Sequence, residues 1–161
     1  MKKRNIAILV ALFVGAVSLD VPYIFDVTKD QLTDKVESLS ENRKKNKIKF
    51  YQERASKKID DLDYKGAIND INKALKTNPD RKTKNDLYED LIKYKGRIKD
   101  YQGQIDAYSD LIEINKGISK KLDFFYIERA WIKRINLKDY QGAINDYTMV
   151  IQNSPRPARV Q

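Results

Sequence analysis

Apolar positions divide the chain into two regimes. From Ile6 to Val17 they form an unbroken run behind Lys2, Lys3 and Arg4. Beyond Thr28 they instead recur three and four residues apart, the period of an amphipathic helix. Leu32, Val36 and Leu39 mark a narrow stripe on a highly charged helix over 28–46. Phe50, Tyr51, Arg54, Ala55 and Ile59 share one helical face, and Ala67, Ile68, Ile71, Ala74 and Leu75 share another. Between them Asp63 is placed as an N-cap, because its carboxylate can accept an orphaned backbone N–H. Asn78-Pro79 is expected to end the second helix, since the residue before proline is driven from helical geometry. Proline stands only at Pro22, Pro79, Pro155 and Pro157, so 23–78 and 80–154 are free of the strongest helix breaker. The fold class these patterns predict is all-α.

The pattern also repeats. Phe50-Tyr51-Gln52-Glu53-Arg54-Ala55 returns as Phe125-Tyr126-Ile127-Glu128-Arg129-Ala130. Asp63-Tyr64-Lys65-Gly66-Ala67-Ile68-Asn69-Asp70 returns as Asp139-Tyr140-Gln141-Gly142-Ala143-Ile144-Asn145-Asp146. A looser copy lies between, where Leu87-Tyr88 leads to Asp100-Tyr101-Gln102-Gly103-Gln104-Ile105-Asp106. The signature tyrosines are therefore 37 and 39 residues apart. Each copy reads as two antiparallel helices, with small residues at Gly66/Ala67 and Gly142/Ala143 allowing close approach and the tyrosine wedged between. The third copy carries one extra residue between its helices. In the middle copy Gln104 replaces the small alanine and Gly96 interrupts the first helix, which predicts looser packing there.

The order Tyr51, Ala55, Asp63-Tyr64, Ala67, Ile71, Ala74, Pro79 resembles the 34-residue tetratricopeptide pattern, in the variant reading D-Y-x-G-A-I-x-D-Y. The resemblance covers roughly 48–155 and implies a right-handed α-solenoid of about three helix hairpins, approximately 48–81, 85–118 and 123–156. A tail over 156–161 follows. Such arrays usually close with an extra solvating helix. The proline-rich segment after Asn153 is too short for one, so a partner, self-association or the 28–46 helix is expected to cover an open end. The resemblance also places a concave groove on the first helix of each copy. Its lining would be Lys49, Gln52 and Ser56; Asp86, Glu89, Lys93 and Arg97; and Phe124, Ile127, Trp131 and Arg134. Ser56, Lys93 and Trp131 stand where the family's clamp for C-terminal carboxylates needs asparagines, so that activity is not implied. Trp131, the only tryptophan, is expected either to anchor a peptide or to pack between neighbouring helices.

Residues 1–18 match a secretory signal, with a charged start, an apolar core and small residues at Ala16 and Ser18. An uncleaved anchor is the rival reading, although the run reaches only 14 residues to Leu19, against the roughly 20 needed to span a bilayer. Either way the basic start stays cytoplasmic and the remainder, including a charged lead-in over 19–47, is exported to the periplasm or exterior or held on that side of the membrane.

Composition narrows the chemistry. Thirty-two basic and 23 acidic residues give a net charge of +9, mostly interleaved as on solvated helix faces. No aromatic-plus-basic motif supports nucleic-acid binding. Cysteine and histidine are both absent, which removes disulfides, thiol catalysis, the commonest general base and the commonest metal ligand. There is no phosphate loop or nucleophile elbow, and no cofactor is implied. The expected function is therefore binding: a protein–protein interaction scaffold outside the cytoplasm that takes a peptide or protein partner. The alternative is a membrane-anchored assembly factor whose basic lead-in, Arg43 to Lys49, contacts anionic lipid or acidic protein.

Overall fold

The computed structural model describes residues 29–117 and 121–153. The expectations for the N-terminal segment 1–18, for Pro155 and for the tail fall outside them. All of the regular structure among the described residues is helical. The chain divides into two compact units, one ending at Asn46 and one beginning at Lys47.

Helix α1, Lys29–Asp60, runs through both units as a single 32-residue element. The sequence reading separated a lead-in from the first helix of the first copy. No glycine or proline occurs from Lys29 to Asp60, so nothing in the backbone stops the helix at that point. In the first unit Leu32 and Leu39 are half-buried and Val36 is exposed.

The second unit contains the rest of α1, then α2 (Tyr64–Leu75), α3 (Arg81–Arg97), α4 (Tyr101–Asn115), α5 (Leu122–Ile132) and α6 (Tyr140–Asn153). Three turns, between α1 and α2, α3 and α4, and α5 and α6, are built alike. Leu62, Lys99 and Lys138 each take a left-handed conformation, with φ of 59°, 58° and 59°. The aspartate that follows donates its N–H back to a lysine carbonyl: Asp63 to Lys58 at 2.7 Å, Asp100 to Lys95 at 2.9 Å and Asp139 to Lys133 at 2.9 Å. This satisfies carbonyls that a helix end would leave orphaned. Each aspartate then caps the next helix, accepting from Gly66, Gly103 or Gly142 N–H at 2.8–2.9 Å. The glycine is needed for clearance, since a Cβ at Gly66 would stand 1.9 Å from the capping carboxylate.

The extra residue of the third copy does not lengthen the turn. It is absorbed into a π-helical stretch, Lys133–Leu137, that continues α5 and leaves the turn unchanged. Helix α2 ends earlier than expected, at Leu75 rather than at Asn78-Pro79. The Thr77 hydroxyl donates to the Ala74 carbonyl at 2.7 Å, and Asn78 adopts φ 52° before the buried Pro79. Asp80 then caps α3 through the Thr83 N–H at 3.0 Å.

Two apolar clusters hold the second unit. The first joins Ala55, Ala67, Ile71 and Ala74 to Leu87 and Leu91; the second joins Ile105, Tyr108 and Leu111 to Phe125, Tyr126 and Ile132. Tyr88 and Ile92 of α3 touch both. Fully buried Ile71, Leu87 and Leu111 each contribute roughly 1.5–3 kcal/mol. The signature tyrosines do not wedge within their own pair of helices. Tyr64 meets Tyr94 of α3 with ring centroids 6.5 Å apart, and Tyr140 is 60% exposed. At Tyr64 and Tyr101 the position faces the following helix pair.

Candidate functional site

A polar clamp lies inside the first and third helix pairs. Arg54 of α1 grips both carboxylate oxygens of Asp70 on α2, Nε to Oδ2 at 2.7 Å, and Lys58 Nζ adds a contact at 3.0 Å. Asp70 is fully buried. The third pair repeats the arrangement, with Arg129 Nε and Nη2 at 3.0 and 2.5 Å from Asp146 and Lys133 Nζ at 2.8 Å. The Arg54 hydrogen bonds hold the Asp70 carboxyl at about 2, well below its ordinary range, against the opposing pull of burial. Arg54 also stacks over Phe50 and Tyr51, and Arg129 over Tyr126.

The middle pair has no such clamp. Leu91 stands in the place of the arginine and Ala107 in that of the aspartate, both buried. The lysine that remains, Lys95, turns to the capping Asp100 at 3.3 Å. The middle pair is also close-packed, contrary to the sequence expectation. Gly96 lies against Gln104, whose amide donates to the Ile92 carbonyl at 2.9 Å, so the small and large partners have exchanged helices. At the far end, Asn85 and Asn115 exchange amide hydrogen bonds of 3.1 and 2.8 Å.

The clamp escaped the sequence reading because each charged residue looks solvated by itself. The available signal was internal: Arg and Asp occur together in the first and third copies and vanish together in the middle one.

The candidate groove residues lie on the surfaces of α1, α3 and α5. Lys49, Ser56, Asp86, Glu89, Lys93, Arg97 and Arg134 are exposed, and Gln52 is half-buried. Lys49 pairs with Glu53 on its own helix at 3.7 Å, Lys93 lies over the Tyr94 ring, and Glu89 reaches from α3 to Lys121, just before α5, at 3.6 Å. On α5, Phe124, Ile127 and Trp131 are exposed at 53%, 41% and 48% and, at spacings of three and four, share one helical face.

A cleft of about 510 Å³ opens elsewhere, against α2, α3 and α4, and none of the candidate groove residues lines it. Its walls include Leu91 and Ala107, the apolar substitutes for the clamp, with Lys76, Asp106 and Asp110. Burial, with the Asp110 carboxylate beside it, pushes the Tyr88 phenol up to about 12, so it remains a neutral donor to Asp110. Among the described residues no helix is long and apolar enough to cross a membrane.

No family model, curated protein or solved structure matches the chain.

Proposed function

We propose that the chain is an interaction scaffold of tetratricopeptide type that binds a peptide or protein partner outside the cytoplasm. The observation that carries this reading is the exposed stripe of Phe124, Ile127 and Trp131 on α5, an apolar surface that no described helix covers. Exposed charges at Arg134, in the stretch that continues α5, and at Lys93 and Glu89 on α3 are candidates for the polar rim that surrounds peptide-binding anchors. Three similar turns, each with a left-handed residue followed by a capping aspartate, support the repeat reading. The basic and apolar start of the chain supports export or anchoring.

The test is affinity capture from an envelope fraction with the full chain and its Trp131→Ala and Ile127→Ala variants. Loss of the captured species in both, with helical circular dichroism unchanged, supports the stripe as the binding face. Capture that is indifferent to both substitutions removes it.

A further inference from the structure

The second helix of each copy presents one face at matching positions, counted from its capping aspartate. On α2 these are Tyr64, Ile68, Ile71 and Leu75; on α4, Tyr101, Ile105, Tyr108 and Ile112. The α2 face packs into the cluster containing Leu87 and Leu91 of α3. The α4 face packs into the cluster containing Phe125 of α5, with the Tyr108 and Phe125 rings 6.4 Å apart. On α6 the same positions are Tyr140, Ile144, Tyr147 and Ile151, and three of them are 60%, 55% and 74% exposed. This face is a third instance of a surface that the chain has already covered twice.

The covering side has an unmet counterpart as well. Leu87 of α3 and Phe125 of α5, 0% and 3% exposed, occupy the position that Phe50 holds on α1. Phe50 is 53% exposed. Among the described residues, Phe50 is thus a knob with no socket, and the α6 face is a socket with no knob. Charge does not select the occupant of α6, because the one charged residue in Tyr140–Asn153 is Asp146, buried in its clamp. The complement that the internal interfaces specify is an apolar helical face of this chain's own type.

We propose that α6 is the docking site for α1 of a second copy, with Phe50 seated against Ile144 and Tyr147 as Phe125 is seated against Ile105 and Tyr108. The contact is heterologous, so copies add head to tail rather than about a two-fold axis. It rests on the binding reading above only in treating the helix pairs as repeated units, and it names one partner: the protein itself.

Sedimentation velocity of the full chain over a wide concentration range tests it, using Phe50→Glu and Ile144→Glu, both at exposed positions. Each variant alone should raise the apparent dissociation constant for self-association at least tenfold. An equimolar mixture of the two should restore a 1:1 dimer and stop there, because Ile144→Glu keeps the knob and Phe50→Glu keeps the socket. A chain without cysteine also permits a clean cross-link. Phe50→Cys mixed with Tyr147→Cys should form an intermolecular disulfide, and neither should form one alone. A wild-type chain that stays monomeric overturns the proposal. So does association that survives both glutamates, which would place the contact elsewhere, in the apolar run 6–17 or on the α5 stripe, and so does a mixture that fails to dimerise. Monomeric behaviour with Trp131-dependent capture intact defeats this inference alone. Association intact with no Trp131-dependent capture defeats only the proposed binding face.

Discussion

Arg129 holds both carboxylate oxygens of Asp146, and the corresponding residues of the middle copy are leucine and alanine. The protein thus contains its own replacement experiment for a buried ion pair. Breaking one partner leaves the buried carboxylate with Lys133 alone, at 2.8 Å, whereas replacing both removes the desolvation cost together with the attraction. Arg129→Leu should destabilise by about 3 kcal/mol. The double variant Arg129→Leu/Asp146→Ala should fall within about 1 kcal/mol of the parent, with Lys133 free to turn to Asp139 as Lys95 turns to Asp100. Urea unfolding of the three proteins measures this. A double variant as unstable as the single one would mean that the clamp itself holds the third pair together.

Acid should weaken the fold through Asp70. Its carboxyl sits at about 2 in the folded chain, against roughly 4 when unfolded. A depressed carboxyl contributes fully above its unfolded value, and that contribution disappears as pH falls from about 4 towards 2. The expected loss is about 2 kcal/mol. Asp80 and Asp100, lowered by their capping hydrogen bonds, add in the same sense, while Asp90, raised by burial, opposes them. Unfolding free energy measured from pH 2.5 to 5 should slope less in Asp70→Asn than in the parent. Equal slopes would remove Asp70 from the account.

Leu62 is left-handed and 70% exposed, so its side chain contributes little packing while its Cβ strains the turn. Strain of this kind costs roughly 1–2 kcal/mol, and glycine avoids it at a smaller entropic cost. Leu62→Gly should stabilise by about 0.5–1 kcal/mol, and Leu62→Ala should not. Thermal melts of both variants decide; a lower melting temperature for Leu62→Gly would contradict the expectation.

The π-helical stretch should be removable. Deleting Asn136, whose side-chain Oδ1 is buried without a hydrogen-bond partner among the described residues, restores the Arg-to-Asp spacing of the first copy. The variant should keep its helical circular dichroism and melt at or above the parent temperature. A fall of several degrees would show that the bulge fits α5 to its neighbours.

Helix phases and the Asp63 cap were readable in the sequence because they depend on local periodicity and on one side chain meeting the backbone nearby; Asp100 and Asp139 repeat that cap. Three features were not. The fusion of 28–46 with the helix beginning near Ile48 followed from an absence of breakers, which a composition shift from charged to apolar disguised. The outward direction of Tyr64 and Tyr140 depends on which helix lies beside them, a tertiary fact. The compact middle pair required reading Gly96 and Gln104 together, since each looks like a defect when taken singly. The candidate groove residues are at the surface, and among them only Phe124, Ile127 and Trp131 on α5 form an apolar stripe.

The uneven placement of the clamps also gives the molecule a temperature profile along its length. Apolar burial weakens on cooling, whereas a desolvated ion pair becomes less costly to keep as temperature rises. The outer helix pairs carry both kinds of support, but the middle pair relies on Leu91, Ala107 and their neighbours with no buried charge. Heating should therefore loosen the centre before the ends, because only the outer pairs hold an ion pair that becomes less costly as the molecule warms, and the cleft beside Leu91 and Ala107 is the part most responsive to heat.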